Sequence, residues 1–70
     1  MHFEEIIKVI KERREMLQVT QETLATLSGV GLRTLRQFES GKGNPTLTTL
    51  QKLNDALGLD LVLVVKNTNK

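Results

Sequence analysis

The segment Thr20-Gln-Glu-Thr-Leu-Ala-Thr-Leu-Ser-Gly-Val-Gly-Leu-Arg-Thr-Leu-Arg-Gln-Phe-Glu-Ser-Gly41 leaves the chain few choices. It has room for two short helices and one tight turn. Thr20 carries the side-chain oxygen that an N-cap needs, so the first helix begins after it. Gly29 supplies the left-handed backbone that a helix C-terminus prefers, and Gly41 closes the second helix in the same way. The spacing turns Leu24, Val30, Leu35 and Phe38 inward and Arg33, Arg36 and Gln37 outward.

Helical patterning continues on both sides. Residues 3–17 repeat Phe3, Ile6, Ile7, Ile10 and Leu17 at the period of an amphipathic helix. Gln18-Val19 is a short connection. The helix after Thr20 runs to about Ser28, with Leu24 and Leu27 inward and Ala25 small where helices must cross. The next spans about Leu32 to Ser40. Lys42-Gly-Asn-Pro45 is a loop, and Pro45-Thr46 opens a further helix with Leu47, Leu50, Leu53 and Leu57 on one side. Gly58 stops it.

The tail changes character. Asp60-Leu-Val-Leu-Val-Val-Lys66 is dense in β-branched residues and predicts a strand. Leu61, Leu63 and Val65 take one face, Val62 and Val64 the other, so both faces need cover. No second strand is legible elsewhere, and a lone strand leaves its backbone groups unpaired. The expected partner is therefore the same strand of another chain. The fold class is all-α: a domain of four to five helices over 1–59, then one strand at 60–66 that pairs across a homodimer. Residues 67–70 are expected to fray.

Size supports association. A 70-residue chain buries only about 60% of the surface its unfolded form exposes. It has no cysteine for a disulfide or zinc staple, which leaves dimerisation as the common remedy. The lack of cysteine fits a cytoplasmic setting. No stretch approaches the roughly 20 apolar residues of a membrane helix. Glu4, Glu5, Lys8, Lys11 and Glu12 make the first twenty residues unlike a signal peptide.

Formal charge is only +2, but it is unevenly placed. Between Gly31 and Asn54 stand Arg33, Arg36, Lys42 and Lys52 against the single acid Glu39. A local basic face is the footprint of a phosphate-binding surface. Stepping about 100° per residue from Leu35 brings Phe38 and Gly31 near it, while Arg33, Arg36, Gln37 and Ser40 fill the opposite arc. Arg pairs bidentately with guanine and Gln with adenine, so this arc has the chemistry to read base edges in a major groove. Leu32, at the edge of the apolar arc, either meets a thymine methyl or covers the junction with the preceding helix. Gln21 either reaches a phosphate beside a helix N-terminus or is simply solvated. Lys42, Gly43 and Asn44 suit a grip on the DNA backbone, although turn chemistry also accounts for Gly43.

Two inward charges remain. Glu39 falls on the inner side of its helix, and Arg14 lies beside Phe3, Ile10 and Leu17 on the apolar face of the first. Charges directed inward are costly unless they meet. Arg14–Glu39 is therefore expected as a semi-buried, structural salt bridge. His2 is the only histidine, and neither a metal set nor a catalytic triad can be built around it. No enzymatic activity and no cofactor are expected.

From about Glu5 to Gly58 the chain resembles the phage repressor, Cro and Xre class of helix-turn-helix domains. The runs that carry the likeness are Thr20-Gln-Glu-Thr-Leu-Ala, Ser28-Gly-Val, Leu35-Arg-Gln-Phe-Glu-Ser-Gly-Lys42 and Asn44-Pro-Thr-Leu-Thr-Thr-Leu50. The resemblance implies that Gln21, Leu32, Arg33, Arg36 and Gln37 approach double-stranded DNA, and it also implies the Arg14–Glu39 pair. Three positions depart from the pattern: Gly31 replaces a capping Ser or Thr, Leu32 an often polar residue, and Gln18 a frequent Gly. A domain of this class ending in one apolar strand is similar to HipB-like antitoxins. That likeness implies a dimeric repressor of its own operon, bound to a palindromic operator and partnered by a HipA-type kinase toxin. The alternatives are a repressor without a toxin, and an interaction module that has lost DNA binding.

Overall fold

A computed structural model of the chain describes residues 3–67. The chain forms α1 (Phe3–Met16), α2 (Gln21–Ser28), α3 (Leu32–Glu39) and α4 (Leu47–Leu57). Local chemistry sets these limits. Thr20 Oγ1 accepts the Thr23 N–H at 3.0 Å and starts α2. Gly29, at φ +77°, donates its N–H to Ala25 and ends it. Thr46 caps α4 by the same device, and Gly58 ends it at φ +71°. The N-cap of α3 is Gly31, which makes no side-chain capping bond, as its missing hydroxyl requires.

Between α2 and α3 the chain turns through Gly29, Val30 and Gly31. Val30 is buried, and its N–H bonds Ser28 Oγ at 3.2 Å. The turn is thus pinned to the core rather than left to solvent. Ile10 from α1, Leu24 from α2, Leu35 and Phe38 from α3, and Leu50, Leu53 and Leu57 from α4 complete that core. Ile6, Ile7, Val19, Ala25, Ala56 and Leu59 pack around it. α1 touches α3 and α4, and α2 touches the same two. Arg13 Nε donates to the Leu57 carbonyl at 2.9 Å, which fastens α1 to the C-terminal end of α4.

Several apolar expectations fail. Leu27 is exposed: Leu24 occupies the centre of the buried arc of α2, and Leu27 lies about 60° round the helix from it. Phe3, Leu17 and Leu47 are exposed as well. Phe3 and Leu47 open their helices and Leu17 follows the end of α1, where the core tapers.

The largest difference from the sequence-based expectation concerns the tail of the single chain. Among the described residues there is no strand, and residues 59–67 adopt no regular element. Exposure rises from 38% at Leu61 through Val62, Leu63 and Val64 to 97% at Val65. The physical reason is the one that set the expectation: a ladder needs a second backbone, and a single chain offers none. The expected fraying of 67–70 falls mostly on 68–70, which lie outside the described residues, as does His2.

Candidate nucleic-acid interface

Eight residues form α3, and they divide sharply. Leu35, Phe38 and Glu39 are buried, whereas Arg33, Arg36 and Gln37 are exposed. Leu32 is half-buried at the start of the helix, between the two arcs. α3 therefore lies on the core by one face and offers two guanidinium groups and an amide from the other.

The inward charges meet. Arg14 Nε donates to Glu39 Oε2 at 2.7 Å, and Arg14 Nη2 to Oε1 at 2.9 Å. The two side chains retain 12% and 3% of their exposure, so the pair is well shielded from water. Arg14 Nη1 also donates to the Val19 carbonyl at 2.8 Å, tying the α1–α2 connection to the same group. The Arg14 pKa is raised, first by the hydrogen bond to Glu39 and then by Coulomb attraction to Glu39, Glu15 and Glu22, against the lowering effect of burial. Among the described residues no buried side-chain polar atom lacks a hydrogen-bond partner.

Gln21 joins this network. Its Nε2 donates to Glu39 Oε1 at 3.0 Å, so the first residue of α2 has a fixed amide orientation. It is half-buried, neither freely solvated nor wholly enclosed. Gln21 and Arg36 border one hollow together with Lys11, Arg14, Glu39 and Ser40. Gln37, Lys42 and Asn44 border a second with Thr34, Phe38, Gly43 and Pro45. Lys42 N–H bonds the Gln37 carbonyl at 2.9 Å, which docks the loop after α3 against its last turn. Gly43 sits at φ +80°, so turn geometry alone demands a glycine there.

Two residues outside the sequence-based set belong to this surface. Glu22 Oε2 accepts a hydrogen bond from Arg36 Nη2 at 3.0 Å, and Lys11 borders the hollow beside it. The helical period of α3 alone could not indicate either, because each comes from another helix.

A helix-turn-helix family model matches residues 10–64. The chain belongs to the Xre/Cro-type helix-turn-helix family. Among its relatives is an uncharacterized HTH-type transcriptional regulator of Haemophilus influenzae, 42% identical over 65 residues, covering 89% of this chain and 66% of the relative. Another is the cryptic phage CTXphi transcriptional repressor RstR of Vibrio cholerae, 38% identical over 56 residues, covering 74% of this chain and 50% of the repressor. The chain thus spans between 50% and 66% of the length of these relatives. In this helix-turn-helix domain, α2 and α3 are the paired helices and Gly29 to Gly31 the turn.

Proposed function

We propose that the chain is a sequence-specific, DNA-binding transcriptional repressor that places α3 in the major groove. The observation that carries this reading is the exposed arc Arg33, Arg36 and Gln37 on a helix whose other face is locked in the core. Such an arc presents bidentate donors to base edges from a helix that is already ordered. Gln21 and the loop residues Lys42 and Asn44 flank it and would contact phosphates, which set register rather than sequence. Leu32, half-buried at the start of α3, would meet a thymine methyl. Similarity to a regulator and to a phage repressor supports the same conclusion.

The reading extends to a homodimer on a palindromic operator. Leu61, Val62, Leu63, Val64 and Val65 are exposed in the single chain, and antiparallel pairing about a twofold axis would cover them. Half-sites would then stand about one helical turn, roughly 34 Å, apart. Autoregulation as the antitoxin of a HipA-type kinase draws on the tail's composition alone. A kinase-like gene beside this one would support it.

Binding to a duplex enriched from a random-sequence pool tests the main reading. Alanine at Arg33, Arg36 or Gln37 is expected to cost about 1–3 kcal/mol each and to relax one operator position. Lys42→Ala is expected to weaken all sequences alike and to reduce the salt slope by about one. Unchanged affinity in the triple alanine variant would falsify the assignment of α3 as the reading helix.

A further inference from the structure

Arg36 does not stand free on the outward arc. Its Nη2 is bound to Glu22 Oε2 at 3.0 Å, across fourteen positions of sequence. Both side chains are more than half exposed, at 55% and 63%, and a pair like this contributes little to folding in water. Glu22 also lies in the first turn of α2, where the helix N-terminus favours a carboxylate. One donor of the Arg36 fork is engaged, and the rest of the fork remains for a base edge. A carboxylate is an unfavourable neighbour for a surface that must approach phosphates. Left unpaired there, it repels the anionic backbone.

We infer that Glu22 is a positioning and specificity-determining residue, resting on the DNA-reading role proposed above. It holds Arg36 toward a base edge and penalises complexes in which Arg36 turns to a phosphate instead. On a matching sequence Arg36 donates to guanine while still neutralising Glu22. On a mismatched sequence the alternative acceptor is a phosphate, and taking it strands the Glu22 carboxylate against the anionic backbone. Discrimination then arises from a repulsion that only wrong complexes expose. If Glu22 served the first turn of α2 alone, its effects would be independent of Arg36.

The test uses wild type, Glu22→Gln, Arg36→Ala and the double variant, each checked for helical content. Affinity is measured at several salt concentrations for the duplex that wild type enriches and for a shuffled duplex. Glu22→Gln keeps an acceptor but removes the charge. It is expected to favour the shuffled duplex over the enriched one by about tenfold relative to wild type, and to steepen the shuffled salt slope by roughly one. In the Arg36→Ala background the same substitution is expected to shift both duplexes alike. An affinity ratio within about twofold of wild type in Glu22→Gln overturns the inference. So does a ratio change that persists undiminished without Arg36. If wild type enriches no duplex, the DNA reading itself fails and takes this inference with it; enrichment with unchanged ratios sinks the Glu22 role alone.

Discussion

Glu39 accepts three hydrogen bonds, two from Arg14 on α1 and one from Gln21 on α2, while itself belonging to α3. A buried carboxylate is tolerable only under such terms, because desolvation would otherwise outweigh its attraction to any single partner. Removing one side leaves the other charge stranded. Glu39→Ala is expected to lose roughly 3–5 kcal/mol, and Arg14→Ala a similar amount, which for so small a domain approaches its whole stability. Thermal melts of both variants and the double variant measure the coupling; strictly additive losses would mean that the two groups act independently. The raised Arg14 pKa fixes the sign of this group's own contribution to stability. A cation whose folded pKa lies above its unfolded value contributes fully below the unfolded value and is lost only as pH rises through the folded one. On the Arg14 side, the contribution therefore holds through neutral pH and is lost as pH rises into strong alkali.

At the scale of elements, the connection after α1 holds an unusual residue. Gln18 sits at φ +59°, the single non-glycine with positive φ among the described residues, and its N–H bonds the Glu15 carbonyl at 3.0 Å. Left-handed backbone costs a side-chain-bearing residue about 1–2 kcal/mol, partly offset by the greater freedom that glycine loses on folding. Gln18→Gly is expected to stabilise the domain by roughly 1 kcal/mol, raising Tm by about 4–8 °C; an unchanged or lowered Tm would show that the turn carries no strain. This position was marked in sequence by its departure from a glycine-bearing pattern. The helix limits were legible for a related reason: Thr20, Gly29, Thr46 and Gly58 signal through local chemistry that no distant contact overrides. The two faces of α3 and the Arg14–Glu39 pair followed from helical period, since an inward charge demands an inward partner. What period could not supply was how α2 sits against α3. The bonds Gln21–Glu39 and Glu22–Arg36 and the exposure of Leu27 all depend on that crossing. The tail differs in another way, because strand composition describes a preference that only a second backbone can realise, and the single chain offers none.

For the molecule as a whole, the exposed run from Leu61 to Val65 makes association the decisive question. Sedimentation at micromolar concentration is expected to give a dimer for the full chain and a folded monomer for a chain ending at Leu59. The full chain's Tm should also rise with protein concentration. A monomer of the 70-residue chain under those conditions would remove the tail as an interface. None of this reaches the arc on α3. Arg33, Arg36 and Gln37 are exposed, and the packing of their helix rests on Leu35, Phe38 and Glu39. Surface substitutions away from structural features usually change stability by no more than about 0.5 kcal/mol. New side chains can therefore be tried at 33, 36 and 37 almost without regard to folding. If α3 reads DNA as proposed, the address it recognises can be rewritten by design on a scaffold that stays the same.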